Sequence, residues 1–365
     1  MDLFTYLEDI PDHRQATNMK HNLIDVVFLV FSAVLSGANG WKEIQNFGDA
    51  QIEWLKKYRS FENGIPRRHC IAMIVKALDT EALMQALLSW INVRRESSGK
   101  ARIAIDGKTL RGAWKGDIYN AIHVVSAYDV ENGITLAQSS SDGKGDEAEL
   151  ARQLIDMLGT KGTIFTLDGL HAQVKSMEVL KKKESDFVIQ IKRNQPSLYE
   201  AVTASFAAAY DNPELFEEFS QENKGHGRLE RREVLQMQAC LPEELAKKWT
   251  TIKSVIEVVS ERCEGGVRTR ESRWYISSLP VNAEQAAQYI RDHWLVENEL
   301  HWVLDVAFRE DAMKVADPTG AAHLALFNRV SLSVIKQHQG KKDSIKGKRQ
   351  QAGWSPDFRA ELIFG

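Results

Sequence analysis

The sequence predicts an α/β core on a mixed sheet, carrying a mostly β insertion and preceded by an all-α N-terminal domain. Three observations predict it. Through about residue 95 the apolar residues recur at helical spacing. From Ala101 they shift to short β runs in the order strand, strand, strand, helix, strand, helix, strand. Between about 195 and 280 a second group of strand-like runs interrupts this core before helices resume.

The helical spacing covers Leu3–Ile10, Leu23–Leu35, Lys42–Tyr58, Cys70–Ala77 and Glu81–Val93, broken at Asn39-Gly40, near Asn63-Gly64 and at Pro66. The polar stretch Arg94–Lys100 marks a boundary, giving a helical domain over 1–96 and a core over 101–340. In the core, ARIAID is the first strand. IYNAIHVVSAYD and GITLAQSSS follow, linked by turns at Gly116-Asp117 and Asn132-Gly133. Next come a helix over Asp146–Leu158, the strand GTIFTLD, a helix over Ala172–Lys183 and the strand DFVIQIK. The insertion reads as a helix over Ser197–Tyr210 and strands near Arg231–Ala239, Ser254–Ser260 and Ser272–Ser278. A long helix from Ala283 to about Leu304 and another over Ala321–Gln337 close the core. The segment 341–365 reads as a basic tail: Lys336–Arg349 holds six Lys or Arg against Asp343. It is either a solvated, partly disordered tail or an arm that contacts phosphates.

Composition narrows the function. The 47 Lys plus Arg against 50 Asp plus Glu leave a net charge of -3, which excludes histone-like binding of polyanions but permits a local basic stripe. Three cysteines without a Cys-x-x-Cys argue against a disulfide framework or a cysteine zinc site and suit a cytoplasmic protein. The acidic N-terminus has no secretion-signal pattern. The apolar run Val26–Leu35 is half of the roughly 20 residues that a membrane span needs.

Four motifs are candidates for chemistry. Gly107-Lys108-Thr109 resembles the end of a phosphate-binding loop, but Arg102 stands where that loop needs Gly, so it is set aside. Asp106 and Asp168 each close an apolar strand and each precede Gly. They are either plain Asp-Gly turns or two carboxylates at neighbouring strand ends, an arrangement that suits a hard cation such as Mg²⁺. In the long helix, Glu297, His301 and Asp305 recur at i, i+4 and i+8 and share a face; an ordinary surface pair explains them equally well. Gly225-His226-Gly227-Arg228 through Arg232 is a Gly-flanked basic turn, and Lys192-Arg193-Asn194-Gln195 could extend its edge.

The segments AIDGKTLRGA, DGKGDEAE, TLDGLHAQ, QIKRNQPSL, GHGRLERR, RWYISSL and IRDHWLVENELHWVLDVAFREDA occur in that order. The set resembles the H-repeat-associated proteins, the ISAs-type DDE transposases of bacterial insertion sequences. The N-terminal IPDHRQ and its helical run resemble that family's associated domain. The resemblance covers nearly the whole chain and implies a ribonuclease H-like core.

By motif position it implies that Asp106, Asp168 and Glu297 are the catalytic and metal-holding carboxylates, with two Mg²⁺ or Mn²⁺ ions. The implied reaction is two-metal cutting of phosphodiester bonds at element ends and joining of the 3′-OH to target DNA. Double-stranded DNA is the implied partner, on a dimer of the chain, with no membrane. Lys192, Asn194, His226, Arg228, Arg231 and His301 are candidate DNA contacts. Two other readings stay open: a catalytically silent relic that only binds DNA, and a metal-dependent nuclease that cuts without joining. Related transposases carry Tyr-x2-Arg-x3-Glu-x6-Lys around the Glu. Counted from Glu297 those positions hold Ile290, His293 and Leu304, so no role passes to them.

Overall fold

The computed structural model describes residues 2–15, 19–93, 101–112, 121–141, 147–225 and 228–365. The expected boundary at Arg94–Lys100, the turn at Gly116-Asp117, the Lys144–Asp146 part of DGKGDEAE and the candidate contact His226 lie outside these residues.

The N-terminal region is helical: α1 (Leu3–Leu7), α2 (Leu23–Leu35), α3 (Trp41–Leu55), α4 (Arg68–Lys76) and α5 (Thr80–Asn92). Helix α2 starts where the Asn22 side chain accepts from the amides of Ile24 and Asp25, and every α2 residue except Ile24 is buried. The apolar run of the sequence is therefore a core helix. Its one charge, Asp25, is paired with Arg59 at 2.9 Å and accepts the Phe61 amide at 3.0 Å, which makes the burial tolerable.

Nine strands form one mixed sheet in the order β3-β2-β1-β4-β5-β9-β8-β7-β6. Strands β1 (Arg102–Thr109), β2 (His123–Asp129) and β3 (Ile134–Ser141) come first. The turn after β2 uses Gly133 at φ 66°. Helix α6 (Glu147–Leu158) crosses to β4 (Ile164–Leu167), and α7 (Val174–Lys182) to β5 (Asp186–Ile191). Strands β1, β4 and β5 are parallel neighbours. An antiparallel hairpin followed by helix-linked parallel strands is the expected ribonuclease H-like order.

The insertion adds α8 (Pro196–Ala209), β6 (Glu217–Gly225), β7 (Arg228–Gln238), α9 (Glu243–Lys248), β8 (Ser254–Glu264) and β9 (Val267–Ser277). It joins the core sheet through antiparallel β5 and β9, with Val188 opposite Ser277. Strand β6, EEFSQENKG, was absent from the sequence expectation. It is the sheet's last strand and mostly exposed, so it carries no apolar alternation, and its place is set by β7. Strands β8 and β9 also run further than expected, to a turn on Gly265 and Gly266, both at positive φ.

After the sheet come α10 (Ala283–Leu295), a π-helical turn (Val296–His301), α11 (Trp302–Ala307) and α12 (Pro318–Gln337). Two further helices, α13 (Ile345–Trp354) and α14 (Pro356–Phe364), correct the expectation of a basic tail. Lys348 is buried and donates to the carbonyl of His338 at 2.8 Å. Arg349 is buried and donates to the carbonyls of Val34, Ala38 and Ala307. Arg359 lies over Trp54, 4.0 Å from the ring centroid, and donates to Gln51. Net positive charge alone cannot distinguish a solvated run from one whose cations satisfy buried carbonyls. Among the described residues no helix is long and apolar enough to cross a membrane.

The chain divides into two compact units. One holds residues 1–97, 107–147 and 297–365; the other holds 98–106 and 148–296.

Candidate active site

Within the second unit the register of the parallel strands positions the first two acids. Ile105 pairs with Leu167, so Asp106 and Asp168 occupy the next step on neighbouring strands. Parallel neighbours in register present their side chains to the same face, about 4.8 Å apart. Asp106 does not end its strand as the sequence suggested, because β1 continues to Thr109. Asp168 does leave β4, and its Oδ1 accepts the Leu170 amide at 2.9 Å, opening a short 3-10 turn. Asp168 thus sits at the end of its strand and hydrogen-bonds its own backbone, while Gly169 enters the 3-10 turn without a positive φ.

Helix α10 lies against this face. Thr166 is two residues before Asp168 and shares its side of β4. The Thr166 hydroxyl is 3.2 Å from Nδ1 of His293. Desolvation pushes the His293 imidazole below its ordinary range, opposed by the charges of Asp106 and Asp168. Both carboxylates therefore act on one ring, a residue that sequence reasoning passed over. The available signal was its position four residues before Glu297. Arg102 of β1 forms an ion pair with Asp292, fixing the helix beside that strand.

Two expected residues, Lys192 and Asn194, lie beside Asp168 and Gly169. Lys192 Nζ lies 3.3 Å from Oδ2 of Asp168, and Nε2 of fully buried His171 lies 3.7 Å from Oδ1 of the same carboxylate. Asn194 donates to the carbonyl of Gly169 at 2.7 Å. A Cβ on Gly169 would stand 2.8 Å from Cγ of Lys192, which accounts for glycine there. Arg231, on β7, is half-exposed and pairs with Glu233 at 2.6 Å. Arg228 begins that strand.

In the other unit, the π-helical turn carries Glu297 one turn beyond His293 along the same helical run. Glu297 is exposed, and its Oε2 is 3.1 Å from Nδ1 of His301. That hydrogen bond, with the charges of His301 and Lys108, holds the Glu297 carboxyl below its usual range. His301 was expected to contact DNA, but it is 3% exposed and committed to Glu297, so its place is behind the acid. Asp305 binds Lys108 at 2.7 Å, the same lysine whose charge acts on Glu297. Glu299, in the same turn, binds Lys336 of α12 at 3.0 Å and accepts from the Tyr128 hydroxyl at 3.0 Å.

Gly107, which follows Asp106, is dictated by its surroundings. A Cβ there would lie 2.3 Å from Nε2 of His123 and 2.7 Å from Oε1 of Glu147. Those two buried side chains are paired at 2.9 Å, and His123 also meets Thr109 at 3.1 Å.

The carboxylates of Asp106 and Asp168 are oxygen donors of the kind that suits a hard divalent cation, and the ammonium beside Asp168 belongs to a half-exposed lysine.

Residues 4–91 match the DDE_Tnp_1-associated domain and residues 97–332 match the transposase DDE domain. The YncI protein of Escherichia coli O157:H7 is 34% identical over 99% of this chain and 94% of its own. The H-repeat-associated protein YhhI of Escherichia coli K12 is 32% identical over 100% of this chain and 98% of its own. Among solved structures, a piggyBac transposase synaptic complex with hairpin DNA aligns at 11% identity and a TM-score of 0.44, over 97% of this chain and 76% of that one.

Proposed function

Because the chain belongs to the DDE transposase family, we propose that it cuts phosphodiester bonds at the ends of an insertion-sequence element and joins the freed 3′-OH to target DNA, with Asp106, Asp168 and Glu297 as the metal-holding acids. The observation that supports this most is the β1–β4 register, which sets Asp106 and Asp168 at one step of neighbouring strands while both act on His293, one helical turn before Glu297. Divalent cations held by these acids would supply charge neutralisation at the scissile phosphate and an activated oxygen nucleophile.

The chain's own residues prepare that site. Asp106 and Asp168 hold negative charge on one face of a rigid sheet. His301 orients Glu297 from behind, and the Glu299–Lys336–Tyr128 contacts fix the turn that bears it. Lys192 pairs with Asp168 at 3.3 Å. Double-stranded DNA is the partner, bound by a dimer of the chain, with Lys192, Arg228 and Arg231 among its contacts.

The test is purified protein with labelled element-end duplex and Mn²⁺. Asp106→Asn, Asp168→Asn and Glu297→Gln should each lower nicking by about a thousandfold or more, several kcal/mol at 1.36 per tenfold. Nicking that survives Asp106→Asn rejects the assignment. Cleavage without a joined product marks a nuclease, and end binding without cleavage marks a silent relic.

A further inference from the structure

We propose that a groove lined by Lys42, Arg68, His69, Arg309 and Lys314 docks the phosphate backbone of duplex DNA. The proposal rests on the reading of the chain as a DNA transposase and adds a surface that the sequence motifs did not indicate.

The groove, about 440 Å³, lies within one compact unit, between the starts of α3 and α4 and the 309–314 segment after α11. Its one described carboxylate, Glu43, is committed to the Asn39 amide at 2.7 Å. None of the five basic side chains has a carboxylate partner among the described residues. Lys247 and Arg231 elsewhere on this slightly acidic protein are paired, with Glu243 at 2.6 Å and with Glu233, whereas these five side chains gather around one depression. Unpaired cations around one depression leave positive potential there for an anion to neutralise.

The backbone adds to that potential. Helix α3 opens after Gly40 without a side-chain cap, whereas α2 and α5 are capped by Asn22 and Asp79 and the first amide of α4, that of Arg68, is taken by the Gln45 side chain at 2.9 Å. Uncapped amides at a helix start attract phosphate oxygens. Arg309 is held at φ 55° and ψ 39°, a conformation that a non-glycine residue rarely adopts. Its neighbour Glu310 pins it there, bound at 2.9 Å to Arg329 with both side chains fully buried, and to Asn328 at 3.2 Å. The cations come from three separate segments around an open depression, which suits a run of backbone phosphates better than one small anion.

The experiment measures binding of the full chain to a duplex of arbitrary sequence by fluorescence anisotropy from 0.05 to 0.3 M salt. Arg309→Gly removes a cation while keeping the left-handed turn, so its melting temperature should not fall. Its slope of log affinity against log salt should fall by about 0.9, and that of Arg68→Gln/Lys314→Gln by about 1.8. Lys247→Gln, the comparison variant, should leave the slope unchanged. Unchanged slopes in the groove variants, or an equal fall in Lys247→Gln, overturn the groove while leaving the transposase reading intact. Absence of duplex binding by the unaltered chain overturns both. Preference for single-stranded RNA, lost in the same variants, overturns duplex DNA as the occupant.

Discussion

The imidazole of His301 and the carboxylate of Glu297 are joined across one π-helical turn, Nδ1 to Oε2 at 3.1 Å, with the ring buried and the acid exposed. A buried partner that grips an exposed acid restricts its rotamers and leaves one oxygen to face outward. Removing such a partner typically weakens metal binding by about 10- to 100-fold. His301→Ala should therefore bind Mn²⁺ at least about tenfold more weakly in calorimetry, with unchanged circular dichroism, and His301→Gln should recover part of the loss. Equal affinity in all three proteins would remove His301 from the site.

Gly107→Ala should destabilise the protein by about 1–3 kcal/mol, since its methyl would enter the space of the buried His123–Glu147 pair. Urea unfolding measures this. A shortened side chain in Gly107→Ala/Glu147→Ala should not restore full stability, because His123 stands still closer than Glu147 does. A neutral Gly107→Ala would mean that the strand shifts without cost.

Arg349→Ala should cost about 3–5 kcal/mol, because it strands the carbonyls of Val34, Ala38 and Ala307 that the guanidinium satisfies. Lys346→Ala, on an exposed side chain of the same helix, should stay within about 0.5 kcal/mol. Equal tolerance of both changes would restore the reading of this segment as a loose tail.

Stability should fall on acidification through His323. This buried ring has Nδ1 2.8 Å from the carbonyl of Val75 and Nε2 2.9 Å from the Thr80 hydroxyl. Burial disfavours its charged form and pushes its pKa below 6.5. Below the ordinary histidine value the unfolded chain binds the extra proton first, so the contribution is present above about pH 6.5 and is lost as pH drops beneath it. The melting temperature should drop between pH 7.5 and 5.0, and His323→Gln should flatten part of that drop. An unchanged pH dependence in the variant would exclude His323 as its source.

Much of this protein could be read directly from its residues. Helix α2 matched its expected span because Asn22 starts it and an unbroken apolar run fills it. The order of strands β1 to β5 followed from periodicity, and Asp106 and Asp168 were marked by their places at the ends of apolar runs. These features are local, carried by neighbours along the chain.

Other features depended on partners far away in sequence. The edge strand β6 has no apolar signature and exists because β7 pairs with it. The basic run near the C-terminus became helix α13 because the carbonyls of Val34, Ala38 and Ala307 accept its arginine. His293 gained significance only when α10 packed on Thr166, and Asp305 found its partner in Lys108, nearly two hundred residues earlier in the chain. Residue type and spacing determined which elements form and which acids recur. Packing decided which charges are buried, which are paired and which stay exposed, because the energy of a charge depends on surroundings that only the folded chain brings together.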